Sequence, residues 1–99
     1  MTDVNVNIGS GDYQLVVNSL VKGILKINKV NICNTDSAAA NISLYCKLEL
    51  PVPDATKYYF VKDVQLQPGE AFAGTDLLIR PGYGFYIWGD QDCTVSANW

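Results

Sequence analysis

The side chains of this 99-residue chain that could do chemistry are carboxylates and thiols. Glu49, Asp54, Asp63, Glu70, Asp76, Asp90 and Asp92 leave paired-carboxylate hydrolysis formally open, and Cys33, Cys46 and Cys93 offer sulfur for nucleophilic attack or metal binding. The chain has no histidine. That removes Ser-His-Asp and Cys-His catalysis and the commonest general base near neutral pH. A nucleophilic cysteine needs a base or a depressed pKa, and no neighbour in the sequence supplies either. Carboxylate pairs need a cleft that desolvates one partner, for which a domain this small has little room. No cysteine sits in a CxxC pair, so no zinc site is expected. Each lies in an apolar strand context, where a reduced thiol serves as a small hydrophobe. A Cys46–Cys93 bridge is the exception to check, since both are placed to point inward. Gly89-Asp90-Gln91-Asp92 has a fragment of calcium-loop spacing but too few acids, and reads as a polar hairpin turn. Asn41-Ile42-Ser43 matches a glycosylation sequon, read as coincidence. The chain is expected to be non-enzymatic, with no cofactor.

Charge narrows the partners. Seven Lys and Arg against ten Asp and Glu give a net charge of −3. With no basic run to neutralise phosphates, nucleic-acid binding is not expected. No apolar run is long enough to cross a bilayer as a helix, so no membrane role is expected. The start, MTDVNVN, lacks the charged-then-apolar form of a signal peptide, and synthesis without export by that route is expected.

The elements that must position these groups are strands. From Val30 to Leu48 two apolar-patterned runs flank a break of small polar residues. In the second run Ile42, Leu44, Cys46 and Leu48 share one parity, and Asn41, Ser43, Tyr45 and Lys47 the other. This predicts a strand with one dry face and one wet face. Strands are predicted near 3–8, 12–18, 24–33, 41–49, 57–66, 70–79, 84–89 and 93–98. Between them lie Gly9-Ser10-Gly11-Asp12, Asn34-Thr35-Asp36-Ser37, Pro51-Val52-Pro53-Asp54 and Gly89-Asp90-Gln91-Asp92. Two further breaks, Gln67-Pro68-Gly69-Glu70 and Arg80-Pro81-Gly82-Tyr83, have the Pro-Gly order of a type II turn. No window carries a helical stripe. About eight short, mostly antiparallel strands at such intervals predict an all-β, single-domain sandwich over residues 1–99, Ig-like or jelly-roll-like. Parity breaks between Ile27 and Val30, which fits a bulge or a strand covered on both faces.

Aromatic residues crowd the second half: nine of eleven follow residue 57. Phe85 and Ile87 share a parity and are assigned to the core. Tyr86 and Trp88 then point to the opposite face, each an apolar body with a polar tip. Tyr58 and Phe60 raise the same question, with Tyr59 and Val61 on the other face. A strand apolar on both faces must be covered twice, by a neighbouring sheet edge or by a partner protein. Tyr86, Trp88, Tyr58 and Phe60 are therefore candidate interface residues, since Tyr and Trp are enriched where subunits meet. Val4, Val6 and Ile8 alternate along residues 1–8. That segment is either an arm adding a strand to a neighbour's edge or an edge strand of its own sheet.

These features resemble small β-sandwich structural proteins of tailed bacteriophages. The resemblance rests on Val30-Asn31-Ile32-Cys33-Asn34, the small-residue turn Thr35 to Asn41, and the alternating strand Ile42 to Leu50. The aromatic strand Lys57 to Leu66 and the turns at Pro68 and Pro81 complete it. It spans about residues 12–98. The aromatic strand Phe85 to Trp88 departs from it. The resemblance implies a virion component made in the host cytoplasm, above all a capsid decoration (cement) protein on the outer capsid. Its partners would be the major capsid protein or other virion proteins and further copies of itself, a trimer above all. A neck, tail or fibre-attachment subunit is the alternative it leaves, and a surface carbohydrate-binding module is a further reading. No catalytic residue is implied.

Overall fold

Two Pro-Gly turns show how the chain is cut into strands. In the computed structural model, which describes residues 1–99, Gly69 and Gly82 have φ of +81° and +83°. The Glu70 N–H donates to the Gln67 carbonyl at 2.9 Å, and the Tyr83 N–H to the Arg80 carbonyl at 3.1 Å. A positive φ at the third residue and an i to i+3 bond define the type II turn the Pro-Gly order predicts. Eight strands result: β1 (Asp3–Ile8), β2 (Gly11–Val17), β3 (Leu25–Asn34), β4 (Ala40–Leu48), β5 (Tyr58–Leu66), β6 (Ala71–Ile79), β7 (Tyr83–Gly89) and β8 (Cys93–Asn98). Each boundary lies within one residue of its sequence expectation.

The strands form two four-stranded antiparallel sheets, in the orders β1-β8-β3-β6 and β2-β7-β4-β5. Every connection except β4–β5 crosses from one sheet to the other. This is the eight-stranded jelly roll. It decides between the two sandwiches the sequence left open, because an Ig-like domain builds its sheets in another order.

Between the sheets lies one apolar core. Ile27, Val30, Ile32, Ile42, Leu44 and Phe85 are among its fully buried members. Ile87 is equally buried, as its parity predicts. Buried side chains of this size each contribute about 1.5–3 kcal/mol on leaving water. Two buried asparagines tie loops to this core. Asn34 Nδ2 donates to the Ala38 and Leu66 carbonyls, while its Oδ1 accepts from the Asp36 N–H. Asn18 Nδ2 donates to the carbonyls of Gly23 and Ile79. Every buried side-chain nitrogen and oxygen has a partner.

Several expectations change. The segment 1–8 is not an arm: β1 pairs with β8 of its own sheet over residues 3–8. Val4 and Val6 are half-buried along that strand and Ile8 is buried. Cys46 and Cys93 are not bridged; all three cysteines are free thiols. The wet face expected of β4 is largely covered, with Ser43 and Tyr45 both buried. Ile27 and Val30 are both buried because the β3–β6 ladder is interrupted at Asn28, opposite Asp76 at φ +55°.

β5 corrects the aromatic pattern. Its pairing with β4 shifts twice, between Ile42 and Leu44 and between Leu44 and Tyr45. Each shift inserts a residue on β5, a β-bulge. The first falls at Lys62-Asp63, where Asp63 has φ +53° and its N–H donates to Ser43 Oγ at 2.9 Å. The second falls at Phe60. Tyr59 therefore lies opposite outward Tyr45, while Val61 lies opposite inward Leu44. The two do not share a face, because Phe60 is the extra residue between them.

Candidate functional surface

The outer face of the β2-β7-β4-β5 sheet carries a row of side chains across all four strands. Gln14 is paired with Tyr86, Tyr86 with Tyr45, and Tyr45 with Tyr59. The Tyr45 and Tyr86 rings stack at 5.1 Å with planes 5° apart, and Tyr59 leans on Tyr45 at 5.6 Å. Lys47, Lys57 and Lys62 place their ammonium groups 4.9, 4.8 and 5.0 Å from the ring centres of Tyr86, Tyr45 and Tyr59. A cation over an aromatic face is attracted by the ring quadrupole, and here it also roofs the ring.

Hydroxyls at the ring tips are paired too. Tyr45 donates to Asp12 Oδ1 at 2.7 Å. Tyr86 donates to the Glu49 carboxylate and accepts from Gln14 Nε2 at 2.8 Å. Burial first, then the adjacent carboxylate, pushes the Tyr45 hydroxyl well above the ordinary tyrosine range. Burial and the Glu49 hydrogen bond raise Tyr86 in the same way. The Tyr45–Tyr86 pair at the centre of the row is covered and hydrogen-bonded, while Gln14 and Tyr59 at its ends are exposed.

The sequence assigned Tyr86 and Trp88 to this outer face, and both lie on it. What covers Tyr86 is neither a partner nor a sheet edge but its own neighbours, Tyr45 and Lys47, which leave it 8 % exposed. Trp88 is half-buried in the next row, between Asp12 and Ser43. It lines a hollow of about 170 Å³ with Ser43, Tyr45, Lys57, Tyr59 and Asp63.

Tyr58 and Phe60 lie elsewhere, on the open β5 edge, and remain 57 % and 38 % exposed. The Phe60 ring stands edge-on to core Phe85 at 5.7 Å, and Tyr58 edge-on to Tyr83 at 6.2 Å. With Tyr59, Cys46 and Arg80 they line a groove of about 390 Å³. Arg80, the one arginine of the chain, sits exposed at this groove. Burial pushes the Cys46 thiol up to about 12, so at neutral pH it stays protonated and is not a nucleophile. Burial raises Cys93 as well.

Sequence reasoning missed a second apolar surface. Leu20, Val21 and Ile24 in the β2–β3 loop and Leu50 and Val52 in the β4–β5 loop are all exposed. Their loops meet at Gly82, in the β6–β7 turn. The Leu50 and Glu49 N–H groups donate to the Gly82 carbonyl, and the Gly82 N–H donates to the Asn18 carbonyl. No strand period marks these residues, which is why pattern reading passed over them. Their signal was composition: bulky aliphatic residues in two loops that turn chemistry alone would make polar.

Five of the seven carboxylates weighed for chemistry have local partners. Glu49 lies 3.8 Å from Lys47, and Asp76 3.5 Å from Lys26. Asp90 accepts from the Asn41 backbone N–H and side-chain amide at 2.8 and 3.0 Å. Glu70 accepts from the Gln67 N–H. Asp54 accepts from the Thr56 N–H, and hydrogen bonds from Thr56 hold its carboxyl below the usual range.

No helix is long and apolar enough to cross a membrane. No family model and no curated protein matches the chain. Among solved structures, the chain is similar to one in the structure of infectious bursal disease virus Gx strain, at 12 % identity and a TM-score of 0.47. The match covers 97 % of this chain and 33 % of that one, so this chain spans about a third of its length.

Proposed function

We propose that this chain is a non-enzymatic structural protein of a bacteriophage virion, a capsid decoration protein that binds the major capsid protein on the outer shell. The observation that carries the reading is the exposed aromatic groove on the β5 edge, built from Tyr58, Tyr59, Phe60 and Tyr83. Large apolar side chains left in water on a rigid scaffold mark a protein-contact surface. The exposed aliphatic loops around Gly82 add to it. The mechanism is passive: apolar area is buried against the shell or between copies, and repetition over the lattice supplies avidity. The resemblance of residues 12–98 to tailed-phage proteins points to a trimer as the assembled unit.

Co-sedimentation with capsids that lack the protein tests this. The parent chain should pellet with the shells, and a Tyr58→Ser/Phe60→Ser variant of unchanged melting temperature should stay mostly in the supernatant. A parent chain that stays in the supernatant at high concentration overturns the reading. A ring of twelve copies by native mass, or a ring of six that Asn5→Pro leaves intact, would favour the neck or tail alternative. Trp88 beside its polar hollow favours one second reading, sugar binding, which glycan-array binding lost on Trp88→Ala would support.

A further inference from the structure

Sheet edges expose unpaired N–H and C=O groups, and proteins blunt them with bulges, charges or cover. This sandwich has four edges: β1, β6, β2 and β5. Three are interrupted. β2 shifts register between Gln14 and Val16, β5 shifts twice, and the β6 ladder breaks at Asp76, which has a positive φ. β1 is different. It runs six residues against β8 in one unbroken register and carries a single charge, Asp3.

The pairing beside it shows which groups β1 leaves free. Thr2 and Trp99 exchange both backbone hydrogen bonds, at 2.7 and 3.0 Å. In an antiparallel ladder such pairs alternate with non-bonded ones. Val4, Val6 and Ile8 therefore spend their N–H and C=O on β8. Asp3, Asn5 and Asn7 turn theirs to the open side, and all three residues are exposed.

We propose that β1 pairs antiparallel with the β1 strand of a second copy across a two-fold axis at Asn5, joining two four-stranded sheets into one of eight. The occupant is a second copy because the edge is self-complementary in one register. Centred on Asn5, Asn5 faces the second copy's Asn5, and Asp3 faces its Asn7, whose amide can donate to that carboxylate. Val4 faces the second copy's Val6, which continues the apolar inner face across the seam. A shift that sets Asp3 opposite a second Asp3 brings like charges together and leaves fewer pairs. The two-fold contact uses the same patch on both copies and therefore closes. It is independent of the β5 groove and of the virion reading: a protein trimeric through another surface would be linked trimer to trimer.

Two variants and native mass spectrometry test the pairing at about 0.1 mM protein, high enough to populate a weak dimer. The parent chain should show an even number of copies, a dimer or a hexamer. Asn5→Pro removes an N–H that faces solvent in the single copy, so the fold should keep its melting temperature. It removes two inter-copy hydrogen bonds per dimer, and association should weaken about thirtyfold, halving the observed mass. Asn5→Cys should form a disulfide between the position-5 thiols of two copies on mild oxidation, because facing residues in a ladder have Cα atoms at bridging distance. Peptide mapping separates that bridge from any at Cys33. A parent chain that is monomeric or purely trimeric, or even-numbered assemblies in which Asn5→Cys fails to cross-link, overturns the pairing.

Discussion

Tyr45 joins two rings, one carboxylate and one cation, and what it does is readable in its protonation. Tyr45→Phe removes the hydrogen bond to Asp12 but keeps the stack. The loss should be about 1 kcal/mol in urea unfolding, since exposed Asp12 regains water. The pH dependence has a definite sign. The folded pKa values of Cys46, Tyr45 and Tyr86 are all raised, so the folded state holds protons that the unfolded chain releases earlier. Their contribution is fully present below the unfolded values, 9.0 for the thiol and 10.0 for the hydroxyls, and is lost as pH rises from there. Melting temperature should hold up to about pH 9 and fall steadily above it, and Tyr45→Phe should flatten the fall above about pH 10. A curve that stays level from about pH 9 to 11 would refute this. The inward Phe85 and Ile87 were legible in the sequence because alternation is local. The burial of Tyr86 was not, because it depends on which side chains the neighbouring strands bring beside it.

At the scale of elements, turns and bulges carry the sharpest constraints. A Cβ on Gly82 would stand 2.6 Å from the Leu50 carbonyl oxygen and 2.9 Å from Leu20 Cδ2, at a φ of +83°. Gly82→Ala should therefore cost about 2–4 kcal/mol, combining left-handed strain with a clash that backbone atoms cannot relieve. Chemical denaturation measures it, and a loss below the error of the method would mean that the three loops separate freely. Asp63 tests the first β5 bulge. Asp63→Val puts a β-branched side chain at φ +53° and should cost about 1–2 kcal/mol, read in the same assay. Strand boundaries were legible to within a residue because Pro, Gly, Asn and Asp punctuate them. The β5 bulges were not, since a bulge is defined by the strand opposite, and Lys57 to Leu66 alone reads as an unbroken strand apolar on both faces.

The whole molecule has two unlike ends. The β3–β4, β5–β6 and β7–β8 turns hold Asp36, Glu70, Asp90 and Asp92 and no lysine or arginine. The opposite end presents Leu20, Val21, Ile24, Leu50 and Val52 to water. If apolar area holds the protein on a shell, binding should survive about 1 M salt, because only exposed charge pairs are screened. Release from capsids by that salt would point instead to the lysine-roofed tyrosine face. Two sheets and their inward faces were readable from alternation. Jelly roll against Ig-like sandwich was not, because the order β1-β8-β3-β6 joins strands from opposite ends of the chain and no local pattern encodes it.

The Thr2–Trp99 pair closes the β1–β8 ladder at one extremity, with the two strands running in opposite directions. A load drawn through residues 2 and 99 would therefore act on that rung first and then on each rung in turn, as a zipper opens. It would never shear the ladder as a whole. Pulled from those two points, the sandwich should open at low force with β1 and β8 peeling first. Pulled between Asn7 and Asn98, toward opposite extremities of the same two strands, it should hold to a markedly higher force. Single-molecule stretching from both attachment pairs compares them directly, and equal rupture forces would show that the resistance lies elsewhere in the fold.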